Sequence, residues 1–102
     1  MLLKNLSKKL NISKIQKEQI YSNEKFESLI VTLEKGMEVP AQPAPANAGL
    51  YLISGELIFD IEGETFTVKA DDFFSFNKDQ MHGLKAIEDS KFLISRNLPE
   101  EE

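Results

Sequence analysis

Cysteine is absent from this sequence, and histidine occurs once. Without thiols the chain has no disulfide framework, no thiolate zinc site and no cysteine nucleophile, and cysteine usage says nothing of its redox compartment. Basic residues are outnumbered: 12 lysines and arginines face 17 aspartates and glutamates, for a formal net charge of −5. Neutralising phosphates requires a basic surface, so no nucleic-acid partner is expected. Long apolar runs are missing too. The longest uncharged stretch, Val39 to Gly55, holds three prolines and two glycines, so it does not read as a membrane span and no membrane partner is expected. At the start of the chain, lysines at 4, 8 and 9 interrupt what a secretory leader would need as an unbroken apolar stretch. A cytoplasmic protein is the expectation.

What is present suits one ordinary globular domain. The 102 residues are 41% hydrophobic and 28% charged, enough for a single modest core and too few for two. Charge is uneven along the chain. Residues 1–17 hold five lysines and no acid, while the sequence ends in Pro99-Glu100-Glu101-Glu102. Leu3, Leu6 and Leu10 have the spacing of one face of a short helix. A basic amphipathic helix can sit on a membrane surface or a partner, but residues 1–12 read more simply as a helical or irregular arm that packs on its own acidic domain, residues 13–98 as the domain itself, and 99–102 as a solvated acidic tail.

From about residue 13 the pattern becomes strand-like. Glu27–Leu33 is rich in β-branched and apolar residues, and Ser22–Lys25 is a turn before it. Leu50–Ile53, then Ser54-Gly55, then Glu56–Ile61 gives a hairpin signal, and Glu62-Gly63 separates the last of these from Thr65–Val68. In Phe73-Phe74-Ser75-Phe76 the alternation sets Phe74 and Phe76 on one face and Phe73 on the other. Two further strands are expected around Met81–Ala86 and Lys91–Ser95. Eight or nine short strands with regular turns describe an all-β sandwich or barrel. Prolines 40, 43 and 45 should stiffen one rim strand and disfavour ladder pairing there.

Two stretches have a more specific spacing. Gly36 is followed after five residues by Gln42-Pro43-Ala44, then by Ala48 and Gly55. This resembles the first motif of the cupins, in which a glycine precedes His-x-His, a glutamate and a second glycine at those intervals. Asp71 to Ala86 follows the spacing of the second cupin motif, with Asp71, Asn77 and Asp79 at its glycine, proline and glycine, His82 at its histidine and Ala86 at its asparagine. The resemblance covers roughly residues 26–96. It implies a double-stranded β-helix, the cupin-type jelly-roll barrel, here with a short N-terminal helix or arm. It also implies that small members of this kind form homodimers through their sheets, and an exposed Tyr21 or Phe26 on an edge strand would suit such a contact.

In metal-binding cupins two histidines and a glutamate of the first motif converge with the histidine of the second. Those four places are Gln42, Ala44, Ala48 and His82 here. Alanine has no donor atom, and a neutral amide is a weak ligand for a transition metal beside imidazole or carboxylate. His82 is the one remaining candidate ligand, so no metal and no other cofactor is expected. A pocket is expected where Ala44 and Ala48 stand in place of larger side chains, lined by Gln42, His82, Tyr51, Phe74, Phe76 and Met81. Side chains such as Phe74, Phe76, Leu50, Leu52, Phe59 and Met81 are more often core than ligand cage.

Three functions remain open on these residues. The first is a metal-free barrel that binds a small apolar or mixed-polarity metabolite. The second is an interaction or sensor module acting as a dimer; no helix-turn-helix pattern follows the barrel, which argues against a self-contained transcription factor. The third is an enzyme, either a metal-assisted oxygenase or isomerase with unexpected ligands, or an acid–base catalyst using His82. No cysteine or carboxylate lies at a spacing that would orient His82 for the last of these, and no catalytic residue is assigned.

Overall fold

The computed structural model describes residues 1–98, so the acidic tail lies outside the described residues. It is built of nine antiparallel strands: β1 (Ile15–Ser22), β2 (Phe26–Leu33), β3 (Glu38–Pro43), β4 (Ala48–Ser54), β5 (Glu56–Ile61), β6 (Glu64–Lys69), β7 (Phe73–Phe76), β8 (Met81–Ala86) and β9 (Ser90–Asn97). They form a five-stranded sheet in the order β1-β2-β9-β4-β7 and a four-stranded sheet in the order β3-β8-β5-β6. From β2 onward the chain passes repeatedly between the two sheets, as in a jelly roll, and their inner faces enclose one core. The N-terminal arm contains a single 3-10 turn, Leu6–Lys8, rather than a longer helix. Among the described residues no helix is long and apolar enough to cross a membrane.

Local chemistry places the turns. Between β1 and β2 the Asn23 side-chain oxygen accepts from the backbone N–H groups of Lys25 and Phe26 at 2.8 and 3.0 Å, an Asx turn that closes the hairpin. Glu62 and Gly63 both take positive φ, at 49° and 82°, as a two-residue hairpin between β5 and β6 requires. The four glycine places of the two spacing motifs also share one backbone state. Gly36 and Gly55 have φ of 87° and 97°, while Asp71 and Asp79, which stand where the second motif has glycine, have φ of 77° and 72°. Aspartate is among the few side chains that enter the left-handed region at modest cost, so the motif survives as a backbone requirement after its glycines are gone.

Alternation then fills the core. Leu29, Val31 and Leu33 of β2, Leu50 and Leu52 of β4, Leu57 and Phe59 of β5, Phe74 and Phe76 of β7, Leu84 of β8 and Phe92 and Ile94 of β9 are buried in one cluster. Pro40 interrupts the ladder of β3 as expected, but only locally. Pairing with β8 holds at Val39↔Leu84, breaks, and resumes at Gln42↔His82 and Pro43↔Met81. β3 is an edge strand, where a missing donor is tolerated. A Cβ on Gly83 would come within 2.9 Å of the Val39 carbonyl oxygen, so the irregular segment of β3 lies directly over the outer side of β8.

β2 is buried on both faces. Ile30 and Thr32, which point away from the core, are completely inaccessible. The arm lies on this outer surface, tied down by the Lys91 ammonium donating to the Ser7 carbonyl at 2.9 Å and by a 2.8 Å ion pair between Lys9 and Glu18. The arm's basic charge is thus partly engaged with its own domain. The buried Thr32 hydroxyl has no hydrogen-bond partner among the described residues. Thr32→Val keeps the shape and removes a desolvated polar atom, so it should stabilise the fold by about 1 kcal/mol and raise the melting temperature by roughly 4–8 °C. A fall in melting temperature would show that the hydroxyl has a partner, such as a bound water.

Candidate functional site

The two sheets part on the side where the edge strands β1 and β3 face each other, leaving a cavity of about 140 Å³. Its walls come from β1, β2, β9, β4 and the end of β7 on one sheet, and from β3, β8 and the loop after β3 on the other. Neither β5 nor β6 contributes. On their side Phe59 packs against Phe74 with ring centroids 4.9 Å apart, and the space is filled. Cavities of roughly 150 Å³ hold a benzene-sized molecule, which sets the scale of any occupant.

His82 sits on the wall, 8% exposed, its ring stacked on Phe76 with centroids 3.9 Å apart and planes 19° from parallel. Its Nδ1 is 3.4 Å from the Gln80 carbonyl, a long contact that favours a proton on that nitrogen. Nε2 has no protein hydrogen bond among the described residues. Gln42 pairs with His82 across the ladder and is exposed at the mouth. Ala48 lines the cavity beside Leu50, and its small side chain opens the space in front of Phe76.

Not every expected residue reaches this space. Tyr51 lies on the outer face of β4, 37% exposed, and donates to the Asp71 carboxylate at 2.5 Å, a bond that raises its phenol above the usual range. Met81 is 41% exposed on the outer face of β8. Both corrections follow from strand alternation: if Leu50, Leu52 and His82 point inward, their sequence neighbours Tyr51 and Met81 point out. Phe74 is core rather than cavity wall, and so is Ala44, buried at 1% exposure. Tyr21 is exposed on the edge strand β1, but Phe26 belongs to β2, an inner strand, and packs on Tyr21 with centroids 5.6 Å apart.

The sequence reading missed the other half of the wall. Leu29, Val31, Phe92, Ile94, Lys17 and Arg96 all line the cavity. Phe92, Ile94 and Arg96 are spaced two apart on β9, so alternation could have placed a guanidinium on the inward face. Arg96 donates through Nε to Glu27 at 3.1 Å, and Gln19 donates to the same carboxylate at 3.0 Å. The Gln19 bond first, and the Arg96 guanidinium after it, hold the Glu27 carboxyl below the usual range, so it stays ionised at neutral pH.

The four places that carry metal in related barrels do not suit one here. Gln42 and His82 adjoin, but they offer one amide and one imidazole, with methyl groups at Ala44 and Ala48. Among the described residues no three His, Cys, Asp or Glu side chains are grouped so that they could hold a metal ion.

Comparison with known proteins agrees with this architecture. The family model described as a cupin domain matches residues 29–94. No curated protein matches the sequence. Among solved structures, a conserved protein of unknown function from Streptococcus pyogenes superposes with a TM-score of 0.87 at 20% identity, covering 98% of this chain and 90% of that one. An RmlC-like cupin from Desulfovibrio desulfuricans gives 0.84 at 20% identity, over 98% of this chain and 99% of that one. KdgF from a Halomonas species gives 0.78 at 21% identity, over 86% of this chain and 81% of that one.

Proposed function

The chain belongs to the cupin domain family, and from that starting point we propose that it is a metal-free barrel that binds a small organic molecule between its sheets. The observation that carries this reading is the cavity itself: a mostly apolar space of about 140 Å³ with His82 and Gln42 converging on it. Small-molecule sites have this composition, an apolar lining with a few polar groups that fix orientation. His82 acts as a hydrogen-bonding wall residue held flat by Phe76, and its partnerless Nε2 is the natural contact for a polar group of the ligand. Enzymatic proton transfer is the weaker reading, because no carboxylate contacts the imidazole: its one protein hydrogen-bond partner among the described residues is the Gln80 carbonyl.

Titration of the isotopically labelled chain with compounds of six to ten heavy atoms tests it by chemical-shift mapping. Binders should perturb Ala48, Leu50, His82 and Ile94, and Ala48→Leu should weaken them by at least about tenfold by filling the space, as overpacking at a closed site does. Shifts confined to the outer faces would contradict a cavity site. Iron, manganese, zinc and nickel should leave the melting temperature unchanged; one metal per chain, lost in His82→Ala, would overturn the metal-free reading.

A further inference from the structure

Across the whole chain acid exceeds base, yet none of the residues lining the cavity is acidic, and three of them, Lys17, His82 and Arg96, are basic. The distribution of these groups is also asymmetric. His82 comes from the four-stranded sheet, whereas Lys17 on β1 and Arg96 on β9 come from the five-stranded sheet, beside the apolar side chains of Leu29, Val31 and Ile94.

The state of Arg96 is informative. Its side chain is about one-third exposed, and its single ion pair runs through Nε to one oxygen of Glu27. A guanidinium that satisfies a carboxylate fully does so as a fork, through two parallel N–H groups. Here the terminal Nη groups have no protein hydrogen bond among the described residues. Glu27 is meanwhile held from its other oxygen by Gln19. Glu27 therefore orients Arg96 without saturating it, and the remaining donors stay with a residue of the cavity wall.

Building on the small-molecule reading above, we infer that the ligand is a small organic carboxylate, its anion held by Arg96 with help from Lys17 and its compact apolar body seated on Leu29, Val31, Leu50 and Ile94. The size of the cavity limits that body to about a benzene ring or a short branched chain. Guanidinium is the side chain best matched to a carboxylate by geometry. Lys17 is exposed on an edge strand, so its contribution is a screened, long-range attraction rather than a fixed contact.

Isothermal titration of the full chain at low salt with benzoate and 3-methylbutanoate, each beside its uncharged carboxamide of the same shape, tests this directly. The acids should bind at least about tenfold more tightly than their amides, because a charge-assisted pair is lost in the amide. Arg96→Gln should remove that preference. Lys17→Gln should weaken the acids only a few-fold, with a smaller dependence on salt. Glu27→Gln should have the opposite sign and tighten acid binding, since it removes the internal carboxylate that competes for Arg96. A purely apolar cavity would not respond to that change. If Arg96→Gln proves poorly folded, the Lys17→Gln and Glu27→Gln responses and the acid–amide comparison still decide. Equal affinity for acids and amides would overturn the carboxylate inference and leave the small-molecule barrel standing. Failure of every probe to bind at millimolar concentration would overturn both.

Discussion

Gly55→Ala should cost about 3–5 kcal/mol of folding stability, the range of the most damaging single substitutions and a large share of the roughly 5–15 kcal/mol that holds a typical domain. Gly55 lies where the chain leaves β4 and crosses to β5 in the other sheet, with φ at 97°. An alanine there incurs about 1–2 kcal/mol from the left-handed backbone alone. Its Cβ would also drive into the Asp89 carbonyl oxygen, the Ser90 hydroxyl and the Ser90 Cα. Two of those are backbone atoms, so no side-chain rotation relieves the clash. The Ser90 hydroxyl is committed as well, accepting from Glu56 N–H at 3.1 Å and donating to the Glu88 carbonyl at 2.7 Å. Pushing Ser90 away would therefore disturb the start of β9, a central strand. Gly36→Ala separates the two effects, because Gly36 has φ of 87° but nothing within 4 Å of an added Cβ. It should cost only the backbone part, about 1–2 kcal/mol. Urea unfolding midpoints of the two variants provide the measurement, and equal losses would show that the close approach at Gly55 is unimportant.

Leu52→Ala should destabilise the protein by about 2–5 kcal/mol, the usual range for emptying a sealed leucine site. Leu52 is completely inaccessible and sits in the core cluster opposite Phe92 of β9. Its neighbours belong to two facing sheets, each held by its own ladder bonds, so the walls cannot collapse far into the space left behind. The contrasting substitution is Leu2→Ala in the arm, where the leucine is 75% exposed and the change should stay within about 0.5 kcal/mol. Melting temperatures measured together would test both. A small loss at Leu52 would mean that the core around it repacks freely, contrary to the close packing on the inner face of β4.

Strands β2, β5, β7, β8 and β9 coincide closely with runs in which apolar residues repeat every second position or cluster without break. Spacing from Gly36 to Ala86 carried the barrel even where its glycines had become Asp71 and Asp79, because the left-handed backbone at those two turns is what the spacing encodes. Tyr51 and Met81 went astray for a different reason. Tyrosine and methionine suit a mixed-polarity pocket by chemical type, but their position between inward neighbours turns them outward.

Other features depended on pairings that no local pattern holds. Arg96 meets Glu27 across a separation of 69 residues, and Gln42 meets His82 across 40, each through a ladder register fixed by the whole barrel. The double-sided burial of β2 is similar: Ile30 and Thr32 read as an ordinary outer face until the arm covers them. The sequence by itself therefore determined strands β2 and β4 to β9, most of the turns between them, the barrel they build, and the presence of Gln42, Ala44 and Ala48 at three places of the cupin spacing. Tertiary structure alone decided that a cavity survives between β1 and β3, and that Lys17 and Arg96 stand on its wall. Alternation sorts side chains onto two faces of a strand, but which face is enclosed and which distant residue lies opposite is settled only when the sheets pack.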